Sequence, residues 1–324
     1  MKAASLSGVF APVLTPFDAT LAPDASAFAG FCRWILSQGA GLAIFGTNSE
    51  ANSLSVAEKL DLLDSLLGAG LPAGRMMPGT GACALSDAVT LCGAAARART
   101  AAVLMLPPFY YKGVSDDGLF AFYAETIERV GSANLKICLY HIPPVAHVPI
   151  PLSLIERLIR RYPETVIGIK DSGGDFSHTK AMLDAFPGFR VFCGSEVFLR
   201  DTMLGGGAGC ISASANVNPA AIVAAFQRYD QPDGPDRQAS LAALRRAYDG
   251  LPMIPALKRT VAGYGARPGF ATVRPPLVAL GDDAWATLSQ RLAALDLVLP
   301  ELAEMLTPSG EGSSASRRAV KAGA

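Results

Sequence analysis

Short runs rich in Val, Ile, Leu and Met recur along the chain at 8–14, 41–46, 75–79, 101–106, 136–142, 166–170, 190–194 and 208–213. Each is nearly continuous in its hydrophobicity. That is the pattern of strands buried on both faces in a parallel sheet, where an alternating pattern would mark one wetted face. Between the runs lie stretches of about 10 to 20 residues with helical periodicity. Asp24, Ser86, Ser115 and Ser153 stand where helix N-caps are needed, and Ser55 with Glu58 spells a capping box. Eight βα units in succession predict an α/β chain folded as a (β/α)8 TIM barrel. The competing doubly wound open sheet usually carries a glycine-rich phosphate loop after its first strand. Here Val13, Leu14, Thr15, Pro16 and Phe17 follow that strand, and the glycine cluster 205–209 precedes a strand instead of opening a helix.

After residue 214 only helical patterns remain, at 218–229, 238–251, 254–263 and 283–306, with a Pro- and Asp-rich loop at 231–236. The expected organisation is a barrel over 1–214 and a C-terminal helical extension packed on it over 215–307. A tail over 308–324, rich in Gly, Ser, Ala and charge, is expected to be disordered.

Charge narrows the partners. Lys plus Arg and Asp plus Glu both number 28, so the net charge is zero and no basic stripe or polybasic cluster invites nucleic acid or a membrane surface. Near-zero charge is compatible with surface buried in a homo-oligomer. Half of the residues are hydrophobic, yet no unbroken apolar run reaches the roughly 18 residues of a membrane span. Pro12 and Pro16 interrupt the N-terminal apolar stretch, which is therefore not read as a signal peptide. The six cysteines are scattered singly, with no CxxC or zinc spacing, and are expected to be reduced, buried and cytoplasmic.

In a barrel the chemistry sits at the C-terminal strand ends. Lys170 ends an apolar run, Val166 to Ile169, where an ammonium is costly unless paired or stripped of its proton. A lysine whose pKa falls from about 10.4 to about 7–8 becomes an amine able to attack a carbonyl. The plainer alternative is a lysine held in a salt bridge by Asp171 or Asp175. Tyr140 ends the neighbouring run and offers a phenol for proton relay, or simply an aromatic at the barrel rim. Thr47 and Asn48 follow Gly46 in a tight turn whose hydroxyl and N–H groups suit a small carboxylate. His141, His147 and His178 have no HxH or HExxH spacing, so a metal-dependent barrel is disfavoured, and His141 is expected to be structural.

Taken together and in order, six motifs resemble those of the pyruvate-dependent class I aldolase family of dihydrodipicolinate synthase and N-acetylneuraminate lyase. They are Thr15-Pro16-Phe17, the turn 46–50, Pro107-Pro108-Phe109-Tyr110-Tyr111, Tyr140-His141-Ile142-Pro143, Gly168-Ile169-Lys170, and 208–216 with Ile211 and a closing Ala-Asn. The resemblance covers roughly residues 6 to 280. It implies a Schiff base on Lys170, with no cofactor or metal, and general acid/base work by Tyr140. It implies binding of the pyruvyl carboxylate by Thr47 and the Asn48 backbone, and a backbone contact from Ile211. It also implies that Tyr110 is lent across a subunit interface to complete a relay through Thr47 to Tyr140, hence a dimer or a tetramer made of dimers. The sequence departs from the family at Asn48 and Ser49, and at Val145, where the synthases carry an Arg that grips a substrate carboxylate. Ser172, Gly194 and Glu196 fall at substrate-binding positions, Ser172 and Glu196 where the sugar-acid lyases contact hydroxyls. The resemblance thus leans toward cleavage of a 2-keto-3-deoxy sugar acid to pyruvate and an aldehyde. Dihydrodipicolinate synthase-type condensation, imine-dependent dehydration, and a non-catalytic keto-acid-binding barrel are the alternatives.

Overall fold

The computed structural model describes residues 6–307; residues 1–5 and the tail 308–324, with the disorder expected there, lie outside the described residues. Seven strands form one sheet: β1 (Gly8–Ala11), β2 (Gly41–Leu42), β3 (Val103–Met105), β4 (Ile137–His141), β5 (Val166–Asp171), β6 (Arg190–Cys193) and β7 (Gly209–Ile211). All neighbours are parallel, in the order β2-β1-β7-β6-β5-β4-β3.

The run expected as a strand at 75–79 makes only two isolated parallel bridges, Leu42 to Met76 and Gly79 to Leu104. Those bridges join the two outer strands of the sheet. Met77 donates its N–H to the Leu42 carbonyl at 2.7 Å, and Leu104 donates to the Pro78 carbonyl at 2.8 Å. The ring is therefore closed by eight parallel segments, the eighth too irregular to count as a strand because Pro78 has no N–H to give the ladder. The interior confirms closure. Phe10, Ala43, Met77, Leu104, Cys138, Phe192 and Ile211 pack in one cluster with Ile167 against it, so all eight segments contribute. This is a filled barrel, not a pore.

Capping follows the sequence in part. Asp24, Ser55 and Ser115 each accept from a first-turn N–H, and the Ser55–Glu58 box is complete in both directions. Ser86 and Ser153 instead lie inside first turns, because their helices, Leu85–Ala98 and Leu152–Arg161, begin after Ala84 and Pro151.

Past β7 the chain is helical: Pro219–Gln227, Gly234–Arg246, Met253–Tyr264, Asp282–Ala293 and Leu302–Leu306. The single helix expected over 283–306 is two. Pro300 lacks the N–H a helix needs and disfavours helical geometry at Leu299. The chain then doubles back, and the Trp34 indole N–H donates to the Pro300 carbonyl at 2.8 Å, tying the extension to the first helix, Ala25–Ser37. Five of the six cysteines are buried and Cys83 is half-buried, all as free thiols. Among the described residues no helix is long and apolar enough to cross a membrane.

Candidate active site

The C-terminal ends of β4 and β5 set Tyr140 directly beside Lys170 in the parallel register. Both side chains face a cavity of about 410 Å³, walled also by Thr47, Asn48, Val145 and Ser172. Lys170 is buried, with its Nζ 4.2 Å from the centre of the Tyr140 ring. No carboxylate among the described residues lies within 4 Å of it. Asp171 is engaged elsewhere: its carboxylate accepts from the Gly173 N–H at 2.9 Å and the Thr179 hydroxyl at 2.7 Å, and pairs with His178 Nδ1 at 3.1 Å. Asp175 caps the helix Phe176–Ala185 through Ser177. The salt-bridged lysine is thus not what this fold builds. The amine sits under an aromatic face, in a cation–π geometry, and opens onto the cavity.

Thr47 Oγ1 lies 3.2 Å from the Tyr140 hydroxyl, so the turn after β2 and the end of β4 share a hydrogen bond. The turn itself is tightly determined. Thr47–Ser49 forms one 3₁₀ turn, the Gly46 N–H donates to Ser49 Oγ at 3.1 Å, and Thr15 Oγ1 donates to the Ser49 carbonyl at 2.8 Å. Glu50 then adopts a left-handed φ of 56°, uncommon for a non-glycine residue. It is held there by Lys258 Nζ at 2.6 Å, which also donates to the Thr15 carbonyl at 2.8 Å, and by the Arg274 N–H at 2.9 Å. Lys258 and Glu50 are fully buried, and the ammonium also stands 4.4 Å from the Phe17 ring. Sequence reading passed over Lys258. It lies within a helical run and is drawn inward only by the tertiary fold, which brings residue 258 to residue 50.

The remaining expected site residues divide. Gly194 and Ser172 line the cavity, and a Cβ on Gly194 would meet the Asp171 carbonyl at 2.6 Å. Val145 lines it too, on the short helix Pro143–Ala146, 57% exposed and with no charge to offer. Ile211 is buried in the barrel interior. Glu196 departs from expectation: it is buried behind the wall, where its carboxylate accepts from the Ser212 hydroxyl, and is not brought to the cavity. The short turn Glu196–Phe198 after β6 directs it inward, and Ser195 takes the wall position. Tyr110 lies on the surface, 76% exposed and packed edge to face on Tyr111.

His141 and His178, separated in sequence, stack at 4.3 Å beside Asp171, and the three offer donor atoms within 4.8 Å of one another. Part of this set is already hydrogen-bonded. His141 Nδ1 accepts from the Ile150 N–H at 3.1 Å, and the Asp171 oxygens carry the three bonds above. These bonds tie the group together beside the Lys170 strand. Burial and the neighbouring His178 push His141 down to about 4, while the hydrogen bond to Asp171 raises His178.

Known proteins carry the same frame. An uncharacterized DapA-like lyase of Chloroflexus aurantiacus is 33% identical over 284 residues, 87% of this chain and 94% of the relative. A probable 2-dehydro-3-deoxy-D-pentonate aldolase of Escherichia coli is 29% identical, over 78% of this chain and 82% of its own length. Among solved structures, dihydrodipicolinate synthase of Agrobacterium tumefaciens superposes with a TM-score of 0.82 at 31% identity, covering 89% of this chain and 99% of that one. A prophage protein of the dihydrodipicolinic acid synthase family from Escherichia coli, solved in complex with pyruvate, gives 0.82 at 25% identity, over 91% of this chain and 100% of that one. The sequence model of the dihydrodipicolinate synthetase family matches residues 5–295, and the chain belongs to that family of lyases and aldolases.

Proposed function

We propose that the chain is a Schiff-base aldolase that cleaves a 2-keto-3-deoxy sugar acid to pyruvate and an aldehyde, without a cofactor. One observation carries this reading: a buried lysine at a barrel strand end, with no ion pair among the described residues, faces a phenol that is itself hydrogen-bonded to Thr47. The chemistry follows from those atoms. The Lys170 amine adds to the 2-keto carbon, and the carbinolamine loses water to give an iminium ion. Tyr140, relayed through Thr47, takes the proton from the C4 hydroxyl. The C3–C4 bond breaks, its electron pair moves into the iminium to leave an enamine, and the aldehyde departs. Protonation of the enamine carbon and hydrolysis release pyruvate and restore the amine. The turn at Thr47 and Asn48 holds the C1 carboxylate.

One fact favours this over condensation of the synthase type: Val145 supplies no bidentate clamp for a second carboxylate at that place. The exposed Tyr110 and Tyr111 fit a homodimer, paired into a tetramer, in which Tyr110 completes a neighbour's relay. The decisive test is borohydride reduction with pyruvate, followed by intact mass and peptide mapping. A reduced pyruvyl adduct on Lys170, absent in Lys170→Ala, is expected. A folded protein with no adduct would instead make the chain a silent keto-acid binder.

A further inference from the structure

The cavity wall holds a second cation that the reaction above does not use. Arg245, on the helix Gly234–Arg246, lines the same cavity as Lys170. Its Nη1 is completely buried and has no hydrogen-bond partner. Two other arginines have a buried nitrogen without a partner, but Arg190 donates to the Ile167 carbonyl and Arg259 pairs with Asp282. Arg245 has no ion pair among the described residues. The two carboxylates on the wall do not serve it, since Asp171 is held by Gly173, Thr179 and His178, and Asp175 by Ser177. With no ion pair of its own among the described residues, the half-buried guanidinium is available to an anion that enters the cavity.

Position says which part of a substrate it would meet. Lys170, Tyr140 and the Thr47 turn come from the barrel, whereas Arg245 comes from the helical extension, with Pro252, Met253 and Pro255 beside it. The keto end of a substrate belongs at the first group, so Arg245 faces the portion beyond the bond that breaks. We infer that Arg245 is the specificity-determining residue for the aldehyde half, and that this half carries an oxyanion at its far end. The proposal rests on the Schiff-base reading. It replaces a neutral sugar-acid tail by an anionic one, as in a keto-deoxy sugar diacid or a phosphorylated keto-deoxy acid. The planar fork of Arg serves carboxylate and phosphate alike.

The test is the reverse reaction with pyruvate and three acceptors of equal carbon count: glyceraldehyde, tartronate semialdehyde and glyceraldehyde 3-phosphate. The full-length protein is compared with Arg245→Gln and Arg245→Lys, each checked for folding by thermal melting. The wild type should favour one anionic acceptor over glyceraldehyde by at least about 10-fold in kcat/KM, and which one distinguishes carboxylate from phosphate. That preference should collapse by about 10- to 100-fold in Arg245→Gln, carried mostly in KM, and return in part in Arg245→Lys. A wild type that prefers glyceraldehyde, or an anion preference that survives Arg245→Gln, overturns the inference while leaving the imine chemistry standing. A wild type that traps no pyruvate with borohydride overturns both.

Discussion

Replacing Lys258 by Met tests whether the turn bearing Thr47 is held in place by a charge buried on the far side of it. The pair Lys258–Glu50 is at zero exposure on both sides, at 2.6 Å. Burial pushes Lys258 down to about 8 even with Glu50 beside it, so desolvation outweighs the attraction and the pair as a whole adds little stability. Removing one member is different. Lys258→Met leaves a carboxylate in the core with one remaining donor, the Arg274 N–H, and a loss of about 3–5 kcal/mol is expected. Neutralising the partner as well, in Lys258→Met/Glu50→Gln, removes the stranded charge and should cost clearly less than Lys258→Met alone, a coupling of about 1–3 kcal/mol. Urea unfolding at pH 7 measures the wild type, Lys258→Met, Glu50→Gln and the double variant, at fixed protein concentration because any subunit association would shift the midpoint. The double variant should fold yet remain slow: without the ammonium, nothing ties the Thr15 carbonyl to Glu50, and the 3.2 Å contact between Thr47 and Tyr140 loosens. A stability loss below about 1 kcal/mol for Lys258→Met, or single-variant losses that simply add, would refute the reasoning.

Three further outcomes are expected. A Cβ at Gly79 would run into the Phe45 carbonyl, with Phe45 C at 2.7 Å, so Gly79→Ala should destabilise by about 1–3 kcal/mol in the same urea assay, whereas an unstrained position would gain slightly. With three histidines in the chain, proton NMR can follow each: His141, lowered to about 4, should stay neutral as pH falls through 6.5, and His178, raised, should still be charged above 6.5. The signs oppose: His141 takes stability away as pH falls from 6.5 toward 4, while His178 adds stability that is lost as pH rises through its folded value; a His141 midpoint near 6.5 would contradict its placement. Tyr110→Phe removes only a hydroxyl from an exposed ring, yet kcat for cleavage should fall by about 100-fold if that hydroxyl completes a neighbour's proton relay, and an unchanged rate would dismiss the shared relay.

What could be read from the chain alone was whatever depends on local pattern and on the barrel's own geometry. Lys170 and Tyr140 end apolar runs that are neighbours in order, and in a parallel barrel neighbouring strand ends meet, so their juxtaposition followed once the runs were seen. Positions that depend on how the chain leaves a strand were less legible. Glu196 stands two residues past Gly194, yet the 3₁₀ turn that follows β6 rotates it behind the wall to Ser212, a matter of one dihedral step that residue spacing does not record. Hardest to see were groups delivered by elements distant in sequence. Lys258 and Arg245 sit in helical runs, each next to another arginine, where basic residues ordinarily mark the solvent face. They reach the site because the helical extension packs back over the β2 turn and the cavity mouth, one as a buried support and the other as an unpartnered cation. The division has a physical cause. Strands of the barrel carry atoms for a reaction that any substrate of this kind must undergo, and their placement is fixed by the closed sheet. In the proposed reading the extension contributes the group that sorts substrates, Arg245, and its side chains acquire meaning only through tertiary contact.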